Sequence, residues 1–428
     1  MPEFLKLTPP LTALSLLLQN IPDVEISLSE SSVEDCLTVQ ALGRVTASPV
    51  FAPHPLPTFP RSTVDGYAVI AADTFGASES MPAYLHLAGE VPMGGVPSIH
   101  LERSKCALIH TGGMLPEGAN AVVMLEYTQD MGSQSISRSL SSLPLGEVEI
   151  LRSVAAGENV IVVGEDVAAG EEVIPAGRRI RPAEIGGLMA LGITHLPVRR
   201  RPRVGVISCG DEVVPPDTEI QPGQVRDVNA YTLKALVEEA GGEAVLYGII
   251  PDQFDPLLSV TAQALSQCDL VIITAGSSAS TRDITAQVIG QLGAPGVLVH
   301  GVNIRPGKPT ILAVCDGKPV IGLPGNPVSA SVIASLFVVP AIHALLGIPQ
   351  PIIKPSITAK LCLNIPSQSG REDWTPVRLI QEGGSYIAEP VFGKSNLIFT
   401  LVRADGLVRI PPDATGLEAG EIIQVWLM

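Results

Sequence analysis

Four short polar segments, each directly behind an apolar run, carry the residues of this chain best suited to chemistry. They are Ser208-Cys209-Gly210-Asp211-Glu212, the segment opening at Asp252, the Gly/Ser-rich stretch from Ala275 to Asp283, and Leu323-Pro324-Gly325-Asn326-Pro327-Val328-Ser329. Arg305-Pro306-Gly307-Lys308-Pro309 falls between the last two. In the third segment the small residues Gly276, Ser277, Ser278 and Ser280 let main-chain N–H groups approach a ligand. Their hydroxyls add donors, and a helix starting there presents its positive end, so the stretch has the ingredients of an oxyanion or phosphate cradle. A plain strand-to-helix turn has the same composition; Arg305 and Lys308 favour the anion by supplying cations beside it. Gly325, Asn326 and Ser329 either add donors or cap a helix. Glu212, Asp227, Asp252 and Asp283 are the opposing signal, because carboxylates repel a phosphate unless a divalent cation lies between. Mg2+ accepts a few carboxylates together with phosphate oxygens and water, which suits this set. Taken singly, each acid is a cap or a solvated turn; the constellation carries the weight.

Such segments meet only if their strands run side by side. From residue 201 the chain alternates VGVIS, a helix over 228–240 closed by Gly241-Gly242, EAVLYGII, the helix PLLSVTAQALSQC, the apolar run DLVIITAG, the helix DITAQVIGQLG, KPVIGL, and a long apolar helix from near Val328. This rhythm predicts a mostly parallel sheet covered by helices, with ligands beyond the strand C-termini. Residues 11–20 and 32–43 read as short helical pieces. Residues 46–147 read as a β-rich inserted module whose tail, from Met131 to Glu147, is a Ser-rich loop or hairpin. Residues 148–182 carry strand-like segments, followed by a helix from Pro182. Beyond 350 short strands at turn-like spacing predict a small separate β barrel or sandwich.

With 428 residues, about three domains are expected. The 27 basic and 43 acidic residues give a net charge of −16, which argues against a general nucleic-acid binder but not against an anion in a local basic pocket. Cysteines at 36, 106, 209, 268, 315 and 362 form no CxxC pair and read as free thiols of a reducing compartment. The apolar stretch LTALSLLL follows Pro9-Pro10 and lacks a cleavage site. The uncharged run Ser329–Ile353 is broken by Pro340 and reads as a buried core helix, so a cytoplasmic protein without membrane contact is expected. No P-loop, HExxH, GxSxG or GxGxxG-plus-acid pattern is present. Asp65 in STVDGYAV, Thr111 in Thr111-Gly112-Gly113 and Asp166 in Gly164-Glu165-Asp166 read, by their chemistry alone, as structural turns.

Read in order, STVDGYAV, HTGGMLPEGANAVVMLE, GEDV, ISCGDEVV, RDVNAYTL, GIIPD, AGSSASTRD, IRPGKP and GLPGNPVSAS resemble the molybdopterin molybdenumtransferase family, which is related to the C-terminal region of gephyrin. The resemblance spans nearly the whole chain. It implies insertion of molybdate into adenylylated molybdopterin, assisted by Mg2+, with molybdenum cofactor and AMP as products. It implies four domains: an elongated linker and dimerisation domain (1–45 with 148–200), the inserted β-rich domain (46–147), an α/β molybdopterin-binding domain (201–349) and a C-terminal β barrel (350–428). It further implies a homodimer with a shared active site, with molybdopterin adenylyltransferase and molybdoenzyme acceptors as partners. Asp65, Thr111 and Asp166 match motif positions implicated in function, against the turn-only reading. Glu212, Asp252 and Asp283 match acidic site positions, Asp283 being tied most closely to the metal; 276–280 match the pterin-phosphate cradle. Arg305 and Lys308 fall in the basic motif, and Arg371 and Ser395 resemble an oxyanion-binding pair. The chain departs from the family at Ile161-Val162-Val163, where relatives carry arginines, and at Asn120, where Asp is usual. A scaffold that kept the fold, and the preceding adenylylation step, are the competing readings.

Overall fold

The computed structural model describes residues 7–22, 32–130, 146–275, 279–349 and 355–428. The chain separates into two compact units. One comprises Met1–Ser48, Ala176–Arg181 and His195–Met428, the other Pro49–Pro175 and Pro182–Thr194.

The first unit is built on a six-stranded sheet. In chain order its elements are β1 (Arg203–Cys209), α1 (Asn229–Ala240), β2 (Glu243–Ile250), α2 (Phe254–Gln267), β3 (Leu270–Ala275), α3 (Ala279–Ile289), β4 (Pro295–His300), β5 (Ile304–Arg305), β6 (Ile311–Cys315), β7 (Lys318–Pro324) and α4 (Pro327–Ile333). β5 lies outside this sheet, whose spatial order is β2-β1-β3-β7-β6-β4. The pairs β1–β2, β1–β3 and β3–β7 are parallel, while β7–β6 and β6–β4 are antiparallel, so the sheet is mixed. The helical rhythm alone predicts none of the antiparallel edge. The runs PGVLVH and ILAVC that build it are β-branched and apolar, a signal that the strand–helix alternation obscures.

Side-chain alternation explains why the central strands read as unbroken apolar runs. Leu270 and Ile272 of β3 join one buried cluster with Ala13, Leu17, Leu233, Val237 and Phe337. Val271 and Ile273 join another with Leu257, Ala264, Val288 and Ile289. Helices thus cover both faces, and each buried aliphatic side chain contributes roughly 1.5–3 kcal/mol. α1 stops because Gly241 takes φ +100°, from which its amide returns to the carbonyls of Glu238 and Val237. α4 runs on through a π turn at Ala334–Val338 and a further helical stretch, Val339–Leu345, that starts beside Pro340. By length and composition this helix, Pro327–Leu345, is the one candidate membrane span among the described residues; 61% of its window is buried inside the structure.

After this helix come β8 (Ser356–Leu361), β9 (Glu372–Glu382), β10 (Ser385–Pro390), β11 (Gly406–Ile410) and β12 (Ile422–Leu427). They close into a five-stranded barrel in the order β9-β10-β8-β12-β11, with β11 pairing back onto β9. β5 pairs in parallel with β9, setting Ile304 beside Glu372 and Arg305 beside Asp373. The basic strap is thereby hydrogen-bonded to the barrel.

The expected helical piece over 32–43 is instead the strand Val33–Leu37 followed by a single 3-10 turn, Thr38–Gln40. The strand pairs with His195–Arg199, Val33 facing Arg199. A partner so distant in sequence leaves no trace in local periodicity.

The second unit holds a six-stranded sheet in the order Ala121–Met124, Gly66–Val69, Lys105–Ile109, Ala83–Glu90, Glu147–Ile150 and Thr128–Asp130. Gly66 is required there, since a Cβ at that position would lie 1.9 Å from the Val123 carbonyl oxygen. Most of the Ser-rich tail, 131–145, falls outside the described residues.

Candidate functional site

Because β2, β1, β3 and β7 are parallel and adjacent, the segments behind them share the C-terminal edge of the sheet. Three strand spacings, roughly 14 Å, separate the first from the last.

At the β7 end lies a cleft of about 710 Å³. Of the expected residues, Arg305, Lys308, Gly325, Asn326, Ser329, Arg371 and Ser395 all line it. Among the described residues its charged lining consists of Arg305, Lys308, Arg371 and Lys394 against one carboxylate, Asp373. In a chain of net charge −16 this is a local inversion of sign. Two turns bring the parts together. Gly307 takes φ +109°, packing its Cα against Ile333 and letting the strap fold over α4. Asn326 Nδ2 donates to Ser395 Oγ at 3.1 Å, and the Val328 amide donates to the Ser395 carbonyl at 3.0 Å. Asn326 therefore spans to the barrel and makes no side-chain cap of its helix, which removes the N-capping alternative for it. Ser329 is buried. Arg371 is clamped by Asp373, as Nε meets Oδ1 at 2.8 Å and Nη2 meets Oδ2 at 3.3 Å. Lys394 and Asp373 escape a reading of the sequence; the only trace of Asp373 is its place two residues after Arg371 at the start of a strand.

At the opposite end of the edge, behind β1 and β2, stand the acids. Cys209 Sγ donates to Asp252 Oδ1 at 2.9 Å, and the Asp252 amide donates to Asp211 Oδ1 at 3.3 Å. Burial, and then the hydrogen bond to Asp252, push the Cys209 thiol well above its usual range, so it stays protonated as the donor. The sequence marks Cys209 and Asp211 only as members of their segment, with no role of their own. Glu212 is exposed. Asp227 is buried and occupied: Oδ2 accepts from Ser208 Oγ at 2.6 Å and Oδ1 from the Ala230 amide at 3.0 Å. These bonds anchor the start of α1 to β1, a structural task for a residue expected at the ligand. Asp283 and Ser280 lie on the backbone of α3, but their side chains, like Gly276, Ser277 and Ser278 as a whole, lie outside the described residues. Among the described residues no three His, Cys, Asp or Glu are placed to hold a metal. Glu212 and Asp252 are nonetheless hard oxygen donors behind neighbouring strands, and Mg2+ needs only one or two carboxylates when substrate phosphate and water complete its shell. The donor set fits Mg2+ in kind.

The second unit holds Asp65 and Thr111 together. Asp65 Oδ1 accepts from the Thr111 amide at 2.7 Å and from its hydroxyl at 3.2 Å. These bonds, the amide first, hold the Asp65 carboxyl below the usual carboxylate range. His110 stands between two acids, with Nδ1 3.6 Å from Asp65 and Nε2 3.3 Å from Glu90. Asp166 is exposed and set by its backbone, its amide donating to the Leu56 carbonyl at 3.0 Å. Val162 and Val163 are exposed beside it. Asn120 Oδ1 accepts from the Ala71 amide at 2.8 Å, a bond an Asp would make equally well.

A mixed α/β sheet, a barrel hydrogen-bonded to a basic strap and a cation-lined cleft between them make up the site of the first unit. Residues 9–192 match the MoeA N-terminal region (domain I and II), 205–344 the "probable molybdopterin binding domain", and 358–428 the MoeA C-terminal region (domain IV). Molybdopterin molybdenumtransferase 2 of Mycobacterium tuberculosis is 34% identical over 391 residues, 90% of this chain and 93% of that protein. The molybdopterin molybdenumtransferase of Bacillus subtilis is 31% identical over 391 residues, 91% and 88% of the two chains. The crystal structure of a molybdopterin biosynthesis moeA protein from Pyrococcus horikoshii superimposes with a TM-score of 0.83 at 32% identity, covering 99% of this chain and all (100%) of that one. The chain belongs to the molybdopterin molybdenumtransferase family, a family of molybdenum cofactor biosynthesis.

Proposed function

We propose that this protein inserts molybdate into adenylylated molybdopterin and releases AMP. The observation that carries this reading is the cluster of four cations around Asn326 and Ser395, at one end of a strand edge whose other end is acidic. An elongated ligand with a phosphate near its middle matches that order of charges. In the reaction, Arg371, Arg305 and Lys308 bind the tetrahedral molybdate dianion, and the Ser395 hydroxyl fixes its orientation. The amides of 276–280 receive the pterin phosphate. Glu212, Asp252 and Asp283 would hold Mg2+, which would neutralise charge on the pyrophosphate while water cleaves it to AMP and the pterin phosphate. The protonated Cys209 keeps the Asp252 carboxylate turned toward β1. Asp65 with Thr111, and Asp166, serve the substrate as the family resemblance implies. The working form is a homodimer, fed by a molybdopterin adenylyltransferase and serving molybdoenzyme acceptors.

The test is AMP release from adenylylated molybdopterin, followed by chromatography with and without molybdate. The expected result is release that depends on molybdate and falls at least about tenfold in Arg371→Ala, as one charge-assisted contact is lost. Binding of the pterin without AMP release identifies a scaffold. Consumption of ATP with free molybdopterin identifies the adenylylation step. Sedimentation as a monomer at working concentration removes the dimer from the proposal.

A further inference from the structure

Among the described residues the cleft contains one acid, and it is the wrong charge for the ligand. Asp373 lines the cavity, yet its side chain is 5% exposed. Every contact it makes is with a donor that holds it in place. Arg371 binds both of its oxygens, at 2.8 and 3.3 Å. Ser367 Oγ donates to Oδ2 at 2.9 Å, and Arg305 Nη1 stands 3.8 Å from the same oxygen. The register of β5 on β9, which sets Arg305 directly opposite Asp373, produces this convergence. The neighbouring acid, Glu372, takes the other face of the strand and is bound by Trp374 Nε1 and Arg409 Nε, each at 2.8 Å. Two adjacent buried carboxylates thus serve opposite faces of β9: Glu372 lies on the face that carries Trp374, and Asp373 on the face that carries Val377.

A guanidinium has five N–H donors in a fixed plane. The clamp on Asp373 uses the Nε–H and one of the Nη2–H groups. Among the described residues no acceptor takes the remaining three, on the edge turned from Asp373. Arg371 is half-buried and Arg305 is exposed; without Asp373 their long side chains have many rotamers, and a ligand must immobilise them.

We propose that Asp373 is a positioning residue for oxyanion capture: it preorganises Arg371 and, through β5, Arg305, so that they bind a tetrahedral dianion without prior ordering. This rests on the reading of the cleft as the molybdate site. The two roles open to Asp373 have opposite signs. A bare negative charge repels molybdate, so Asp373→Asn would tighten binding. A positioning residue strengthens it, so Asp373→Asn, whose amide cannot accept both guanidinium bonds, weakens binding by about tenfold or more.

The experiment is calorimetric titration of the full chain with sodium molybdate, for wild type, Asp373→Asn and Ser367→Ala. Melting temperature and affinity for adenylylated molybdopterin are measured in parallel. The expected result is weaker molybdate binding in both variants, larger in Asp373→Asn, with pterin affinity unchanged. If wild type binds molybdate and Asp373→Asn binds it equally or more tightly, or loses pterin affinity as well, the positioning role is overturned. Should Asp373→Asn fail to fold, Ser367→Ala decides: weaker binding supports the role and unchanged binding overturns it. A wild type that does not bind molybdate overturns instead the reading of the cleft on which the role rests.

Discussion

Gly307→Ala is the sharpest test of how the basic strap is seated. A Cβ at this position would lie 2.3 Å from Ile333 Cγ1 and 2.4 Å from Ile333 Cδ1. Ile333 is fully buried in the cluster that includes Phe337 and Val338, so its side chain has little room to retreat. Overpacking of this kind costs about 1–3 kcal/mol. The backbone adds a second term, because φ is +109° and an L side chain there costs about 1–2 kcal/mol. The sum, about 2–5 kcal/mol, is a large share of a typical 5–15 kcal/mol stability. Urea unfolding followed by tryptophan fluorescence reports it, since the chain has 2 Trp and both, Trp374 and Trp426, lie in the barrel. The midpoint falls, and the double variant with Ile333→Val, which removes Cδ1, loses less than the sum of the single losses. A loss below about 0.5 kcal/mol, or strict additivity in the cycle, refutes the argument.

Two further predictions concern titratable groups. Cys362 is the exposed thiol and the other five are buried, with burial pushing Cys315 up to about 11 and Cys209 higher still. A thiol reagent at pH 8 therefore labels Cys362 of the native protein first, and labelling of Cys209 at a comparable rate contradicts the packing described. Asp65 is held low by Thr111, so its contribution to stability is present above the ordinary carboxylate value of about 3.9 and is lost as pH falls through its lower folded value. Thr111→Val removes the hydroxyl and keeps the amide, which is the larger cause; an NMR titration then shows the Asp65 pKa raised part of the way. No rise, or a further fall, counts against the geometry.

What the sequence discloses follows from what is local. β1, β3 and β7 are buried along most of their length and the edge strand β2 is partly buried, so each is visible as an apolar run, and a parallel reading then puts their ends on one edge without further information. Arg305, Lys308, Asn326 and Ser329 follow because they stand beside those ends. Arg371 and Ser395 are reached only through resemblance, since the barrel joins the cleft by the pairing of β5 with β9 and no local pattern announces it. Asp373 stays hidden for the same reason: its task is defined by Arg305, far away in sequence. Val33–Leu37 misled because its run VEDCL shows no two-residue alternation of apolar and polar side chains and its partner lies far away at 195–199. Asp227, expected at the ligand, also joins α1 to β1 through both carboxylate oxygens, a task that no local pattern announces.

The strand Val33–Leu37 has a consequence for biogenesis. Its partner, His195–Arg199, is translated long after it, with the entire second unit in between. At synthesis rates of about 5–20 residues per second, the early strand emerges roughly ten to thirty seconds before anything can pair with it. Its exposed edge is then a place for chaperones or for mistaken pairing. The inserted unit has time to complete itself first, and pausing of the ribosome ahead of codon 195 would lengthen that vulnerable interval.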